Sequence, residues 1–377
     1  MNRLATIDLG TNTVRLLVVE TSVTGRWRVL AQDQVITRLG EGAAATGRLG
    51  ELPMERTVEA ITAFCRRAES LGAGEIVIVA TSAVREAANR PLFLGRVWRA
   101  TGRDVRVVAG DEEARLSFLG VLSGIEEISG ELLLMDIGGG STEFILARDR
   151  QVITALSIPL GVVPLAEQYM TERPVDWARY ALMDREVRAR LSREVLPSFR
   201  SSRPGRMVGV AGTITTLAAL DQALPAYDPE KVQGYLLRRH RIERLLAQLG
   251  ALSLAARANL PSLEPGRADL IIPGIAVCLA ALDAFGFDAL LASEFALREG
   301  ILVDYLARAF GGRGEARAPA ADVGRGEARA PAADVGRGEA RAPAADVGRG
   351  EARVPAADVG RGEARAPAAD VGDTSSG

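Results

Sequence analysis

Histidine is nearly absent: His240 is the only one in 377 residues. A Ser-His-Asp triad, a HExxH zinc site or a multi-histidine metal centre therefore has nothing to build on. Lysine is as scarce, with Lys231 alone, and no GxxxxGK[ST] string occurs, which excludes a Walker-type phosphate loop. The two cysteines, Cys65 and Cys278, lie far apart in apolar, helix-like surroundings. They read as buried thiols of a reducing cytoplasm rather than as a disulfide or a metal clip. Net charge is -2, so no overall basic field recruits nucleic acid or a membrane. The longest apolar runs, such as Ile271 to Leu282, stop short of the ~20 residues that span a bilayer. Met1 leads almost directly into a strand, with no basic-then-apolar leader, and a cytoplasmic location is expected. Any phosphate chemistry must then use backbone amides, hydroxyls, arginine, carboxylates and a bound metal ion.

What is present is ordinary core-forming material: 47% apolar and 25% charged residues, in a chain long enough for two domains. The C-terminus differs. From Gly312 to Val371 the twelve-residue unit GRGEARAPAADV occurs five times, with one change at Val354. Each unit carries two arginines, one glutamate and one aspartate, so its charge cancels, and it has no aromatic residue. Such a segment buries too little apolar surface to offset the entropy of ordering, and one valine per unit is too little core for a solenoid. Residues 312–377 are expected to form a disordered tail that catalysis does not need. The folded part is expected to divide into residues 1–125 and 126–311.

Two segments of that folded part echo each other. In ATIDLGTNTVRLLVVE (Ala5 to Glu20), two β-branched runs flank a Gly-Thr-Asn-Thr turn; in LLLMDIGGGSTEFILA (Leu132 to Ala147), two more flank Gly-Gly-Gly-Ser. Superposing Asp8 on Asp136 places Gly10 on Gly138 and Thr13 on Ser141, a shift of 128 residues. Each unit is a strand, an Asp-x-Gly-x-x-hydroxyl turn and a second strand. A glycine-rich turn lets backbone amides approach an anion closely. The hydroxyl adds a donor, and the aspartate can bind Mg²⁺ directly or through water. Two such turns facing each other would grip a phosphate chain from both sides. An isolated Gly-rich turn is equally an ordinary hairpin; the repeated aspartate and hydroxyl spacing argues against that reading for both. A third segment, MVGVAGTITTLAAL (Met207 to Leu220), reads as a strand, then Gly212 and Thr213, then a helix whose N-terminus suits phosphate.

Between the two turns lie acid-base candidates. VRVVAGDEEARLSFLG (Val105 to Gly120) passes from strand to helix at Gly110, with Asp111, Glu112 and Glu113 crowding the first turn. Carboxylates stabilise a helix N-terminus, but three exceed what capping requires, and one facing phosphate could prepare a water molecule. Residue chemistry alone does not choose between Glu112 and Glu113. In IVIVATSAVREAAN (Ile76 to Asn89), Arg85 sits in the first turn of a helix, which an adjacent anion or an ion pair with Glu86 would explain.

Taken in order, ATIDLGTNTVRLLV, VATSAVREAANR, AGDEEARLSFLGV, LLLMDIGGGSTEF, SIPLGVVPLAEQY, GVAGTITTLAAL and ASEFALREGIL resemble the successive signatures of the exopolyphosphatase and guanosine pentaphosphate phosphohydrolase family over roughly residues 3–308. The resemblance implies an α/β fold of the actin-like ATPase, ribonuclease H-like type: two duplicated domains with mixed five-stranded sheets and an active site in the interdomain cleft. It implies one phosphate loop from Asp8, Gly10, Thr11, Asn12, Thr13 and Arg15. A second would come from Asp136, Gly138, Gly139, Gly140 and Ser141, and a third from Gly212 and Thr213. It makes Glu113 the catalytic base, Asp136 and Glu143 metal ligands for Mg²⁺ (or Mn²⁺), and Arg85 a phosphate contact. Thr11 and Thr13 stand where serine is commoner, and Ala296 where glycine is usual. The chain resembles the short, two-domain branch that lacks an HD-type C-terminal domain, and a homodimer is expected by the same analogy. The expected substrate is inorganic polyphosphate, because a repeating phosphate chain needs only loops and arginines and no residue specifies guanine. Guanosine pentaphosphate, another nucleoside polyphosphate, and a weakly active polyphosphate-binding regulator are the alternatives.

Overall fold

A computed structural model describes residues 2–22, 26–125, 130–170 and 174–309, all within one compact unit. The expected tail, 312–377, lies outside the described residues. Five strands form the first sheet: β1 (Asn2–Leu9), β2 (Thr13–Thr21), β3 (Trp27–Ile36), β4 (Glu75–Ala80) and β5 (Val105–Val107), in the order β3-β2-β1-β4-β5. Six form the second: β6 (Glu131–Ile137), β7 (Thr142–Arg148), β8 (Gln151–Ile158), β9 (Arg206–Val210), β10 (Leu236–Arg238) and β11 (Ala289–Ala292), in the order β10-β11-β9-β6-β7-β8. The inner strands β1 and β6 are buried on both faces, which accounts for their unbroken apolar runs, whereas β3 is a mostly exposed edge that mixes in polar residues.

Without β10, the second order repeats the first, strand for strand. The expected five-stranded second sheet is thus corrected to six, because the short β10 adds antiparallel to β11. The duplication extends to irregularities. The β2/β3 ladder slips between Val18 and Val19, and the β7/β8 ladder between Leu146 and Ala147, each 128 residues further along. A bulge re-aims the strand that carries it, so the repeated position gives both hairpins a comparable bend.

Six helices place the site. They are α1 (Glu51–Ser70), α2 (Ser82–Glu86), α3 (Gly110–Gly124), α4 (Ala211–Asp221), α5 (Ile271–Phe285) and α6 (Leu297–Ala309). The first sheet and α1 share one core, around Ile7, Leu16, Ile61, Phe64 and Ile78; the second sheet, α4 and α5 share another, around Met135, Phe144, Ile214 and Ile275. Cys65 and Cys278 are buried and free in these two cores, as expected. Helices α3 and α6 do something the linear reading does not contain. Helix α3 leaves the first sheet after β5, yet Ala114, Phe118 and Val121 pack with Leu134, Ile145 and Val208 of the second sheet. Helix α6 leaves the second sheet after β11, yet Leu302 and Leu306 pack with Leu4, Leu17, Val19 and Trp27 of the first. The two halves therefore exchange helices, and the expected division at 125/126 keeps each of them with the sheet it leaves rather than the sheet it covers.

The exchanged helices cross where side chains are absent. A methyl group on Gly120 would land on the Ala296 carbonyl oxygen, and one on Gly300 on the Leu116 carbonyl oxygen. These two contacts interchange under a 180-residue shift, so the crossing lies on the pseudo-twofold axis of the duplication. Among the described residues, no helix is long and apolar enough to cross a membrane.

Candidate active site

Each hairpin turn closes with the same backbone bond: Gly10 N–H to the Thr13 carbonyl at 3.1 Å, and Gly138 N–H to the Ser141 carbonyl at 2.9 Å. That bond folds the intervening amides outward. Among the described residues, the amides of Thr11, Asn12, Gly139 and Gly140 have no hydrogen-bond acceptor. The turns also meet. A Cβ on Gly139 would stand 2.9 Å from Thr11 Cβ, and one on Gly140 would stand 2.6 Å from both Thr11 Oγ1 and Ser82 Oγ. Glycine is needed here for close approach, not for an unusual backbone angle.

Between the turns is a cavity of about 110 Å³. Asp8, Gly10, Thr11, Asn12, Thr13 and Arg15 line it from the first turn. Asp136, Gly138, Gly139, Gly140 and Ser141 line it from the second, and Gly212 and Thr213 from the start of α4. The first turn of α4 carries no side-chain cap, so its amides remain available to an anion. Its first residue, Ala211, is held at φ 67, in the left-handed region that disfavours a side chain.

Of the three acids in α3, only Glu113 lines the cavity. Glu112 turns to an ion pair with Arg106, and Asp111 accepts the Glu112 amide at 2.9 Å. Glu113 is 7% exposed, and burial pushes its carboxyl up to about 7. Its ion pair with Arg85, at 2.8 Å, opposes the rise, while the charges of Asp136 and Asp8 add to it. Burial raises Asp8 to about 6, with Arg15 opposing and Asp136 assisting. Burial also raises Asp136, although the Ser117 hydroxyl donates to it at 2.7 Å.

The expected phosphate contact Arg85 and the expected metal ligand Glu143 do not line the cavity. Arg85 stands behind Glu113, held by that carboxylate and by the Val108 carbonyl at 3.2 Å, with a looser 3.5 Å contact to Glu86. Glu143 lies opposite Asp136 in the β6/β7 ladder and is 1% exposed. Ser157 donates to its carboxylate at 2.7 Å, and burial and the charges of Glu113 and Asp136 raise it well above the usual carboxylate range.

Other lining residues escaped the sequence reading. Thr81 and Ser82 begin α2, and the duplication could have found them: Asp8 pairs with Val79 as Asp136 pairs with Val210, so Thr81 and Ser82 occupy the places of Gly212 and Thr213. Arg267 had no such signal. It comes from the segment before α5, bonds Glu264 at 3.0 Å and Gln34 at 3.3 Å, and lies where a methyl on Gly212 would fall. Burial and the nearby Arg15 charge depress its ionisation. Arg15 itself has no hydrogen bond or ion pair among the described residues. Two arginines that repel each other across a cavity of unpaired amides form a receptor for an anion. Ala296 also lines the cavity, with its amide bonded to Glu299 at 3.0 Å.

Residues 18–309 match the Ppx/GppA phosphatase family. Exopolyphosphatase 1 of Mycobacterium tuberculosis is 31% identical over 301 residues, covering 80% of this chain and 87% of that protein. Exopolyphosphatase 2 of the same organism is 32% identical over 317 residues, covering 80% and 98%. The crystal structure of the Aquifex aeolicus family member superposes with a TM-score of 0.69 at 31% identity, over 82% of this chain and 98% of that one. An exopolyphosphatase structure from Cytophaga hutchinsonii gives 0.76 at 28% identity, over 81% and 98%. With its duplicated, actin-like pair of mixed sheets and this extent of similarity, the chain belongs to the Ppx/GppA phosphatase family and is a hydrolase.

Proposed function

We propose that this enzyme hydrolyses the terminal phosphoanhydride of inorganic polyphosphate, with Mg²⁺ as cofactor and Glu113 as the base that activates water. The observation that carries the reading is the pairing of two facing turns with unpaired amides around a buried carboxylate whose proton affinity is tuned to about 7. The names of the two mycobacterial relatives support the substrate class.

The residues fit a hard divalent cation. Asp8 Oδ1 is a buried acceptor with no partner; Asp8 feels the charge of Asp136, and Glu113 feels those of Asp136 and Asp8. The donors are all oxygen. No group of three acids among the described residues converges tightly enough to chelate an ion unaided. That is the habit of Mg²⁺ sites, where one or two carboxylates act together with water and substrate phosphate. Asp136 and Asp8, with Glu143 behind, would hold it, and when bound it would neutralise charge on the phosphate oxygens.

The chain's own groups do the remainder. Amides of Thr11, Asn12, Gly139 and Gly140 and the hydroxyls of Thr13 and Ser141 hold non-bridging oxygens. Arg15 and Arg267 draw the polyanion in. Glu113 takes a proton from water aimed at the terminal phosphorus. Arg85 fixes the carboxylate and keeps part of it ionised at neutral pH.

A base works only when ionised. Below about 7 the ionised fraction of Glu113 falls roughly tenfold per pH unit, so kcat/KM should climb with pH to about 7 and level off above it. Arg85 lowers the Glu113 pKa, so Arg85→Gln should displace that limb to higher pH. A pH–rate profile of the variant checks this; a limb that stays put or moves to lower pH contradicts the coupling.

Phosphate release should be measured from long polyphosphate, tripolyphosphate, guanosine pentaphosphate and ATP, each with Mg²⁺, Mn²⁺ or EDTA. Long polyphosphate with Mg²⁺ should be the fastest pair and EDTA should abolish turnover. Guanosine pentaphosphate in the lead would transfer the assignment to that substrate, and tight polyphosphate binding without release would make the protein a regulator. A protein ending at Phe310 should match the full-length chain.

A further inference from the structure

Helix α3 does more than carry Glu113. One turn on, Ser117 is 0% exposed, and its hydroxyl donates to Asp136 Oδ2 at 2.7 Å. Residues four apart lie on the same helical face, so one rigid element holds both the carboxylate read as the base and the only hydrogen bond that the described residues give the Asp136 carboxylate. That helix cannot slide: its crossing with α6 brings Gly120 against the Ala296 backbone and Leu116 against Gly300. Its Phe118 and Val121 are locked into the second sheet's core beside Leu134, which lies two residues before Asp136 on the same face of β6.

We infer that Ser117 is a positioning residue: its hydroxyl fixes one oxygen of Asp136, directs the carboxylate into the cavity, and sets its geometry relative to Glu113. The inference rests on the reading of Asp136 as a metal-holding group. Asp136 sits at the end of a strand, where its carboxylate can rotate about two side-chain bonds. A single hydrogen bond from a buried, immobile hydroxyl selects one orientation in advance. Ser157 does the equivalent for Glu143 from β8, at 2.7 Å, but from an element that carries no second site residue. Ser117 thus joins the helix that carries Glu113 to the Asp136 carboxylate by a directed hydrogen bond, where Phe118 and Val121 add only apolar packing.

Hydrogen-bond partners that orient metal-holding side chains typically contribute 10–100-fold in metal affinity. Mn²⁺ binding to the full-length protein without substrate, followed by electron paramagnetic resonance, reads this independently of turnover. Ser117→Ala should weaken Mn²⁺ about tenfold, and Ser117→Thr, which keeps the hydroxyl, should bind near the wild-type level. Asp136→Asn should also weaken Mn²⁺, and adding Ser117→Ala to it should cost nothing more, because Ser117 acts only through that carboxylate. Should alanine unfold the protein, Ser117→Cys gives the same comparison with a side chain of similar shape and a weak donor. Wild-type Mn²⁺ affinity and kcat in folded Ser117→Ala or Ser117→Cys overturns the inference while leaving the metal site standing. A further loss in the double variant overturns it as well. Unaltered Mn²⁺ binding by Asp136→Asn removes the metal reading of Asp136 and this inference with it.

Discussion

Glu113→Gln should lower kcat by about 10²–10⁴, the usual contribution of a positioned general base, while the protein stays folded. Glutamine keeps the shape and still offers a carbonyl oxygen to Arg85, whose 2.8 Å bond to Glu113 would otherwise be left without an acceptor. The substitution therefore isolates proton transfer from packing. It also removes a buried group that burial holds near 7, so the acidic limb of the pH profile should vanish together with the rate. Phosphate release under saturating polyphosphate and Mg²⁺, with circular dichroism as the folding control, decides the matter. Turnover within a few-fold of wild type would show that another group prepares the water. Glu112 is a poor substitute, since it faces Arg106 and not the cavity.

The largest loss of stability should come from a single methyl group. In Gly120→Ala, the added carbon falls on the Ala296 carbonyl, and a backbone atom cannot rotate aside as a side chain would. Overpacking of this kind costs typically 1–3 kcal/mol and occasionally more, and the absence of a yielding partner puts Gly120→Ala at or above the upper end. For about 3 kcal/mol, a drop in Tm of roughly 5 °C is expected for a fold of about 300 residues. Gly95→Ala serves as the contrast. It also lies inside a helix, at residues 90–101, but nothing stands within 4 Å of the new methyl. Lower backbone entropy in the unfolded chain should make it neutral or stabilising by about 0.5–1 kcal/mol. Equal Tm values for the two variants would mean that α3 and α6 can part without penalty. Gly300→Ala should behave like Gly120→Ala, because it meets the Leu116 carbonyl.

Local chemistry reads well from the letters here, and partners distant in the chain do not. Asp8, Gly10 and Thr13 and their echoes Asp136, Gly138 and Ser141 were legible because a hairpin is short and its turn must carry particular residues. The repeated bulge at Val18 and Leu146 was not, since a ladder slip leaves no mark on composition. Glu112 and Glu113 looked alike until the helix gave them different faces. Arg85, a cation in a helix's first turn, calls for an anion or an acidic partner, and the letters do not say that Glu113, 28 residues on, is within its reach. Arg267 was invisible because nothing near it in sequence resembles a binding motif; only packing brings it over Gly212. The exchange of α3 and α6 was hidden for the same reason. An apolar helix stripe states that it must be covered, but not by which sheet.

That exchange gives the molecule a spine and a fore-edge. At the spine, α3 and α6 press backbone against backbone between two apolar cores, and parting them would expose side chains such as Phe118 and Leu302 at about 1.5–3 kcal/mol each. Along the opposite margin the covers are held by polar clasps: Arg38 with Asp269 at 2.8 and 3.0 Å, Gln34 with Glu264 at 3.0 Å, and the Gly42 amide with Glu167 at 2.8 Å. Contacts of that kind near solvent are worth on the order of 1 kcal/mol apiece and weaken in salt. The clasped seam is therefore the weaker of the two. Added salt should loosen that seam before the other, and Arg38, held there by Asp269, is a cation that a competing anion could draw away.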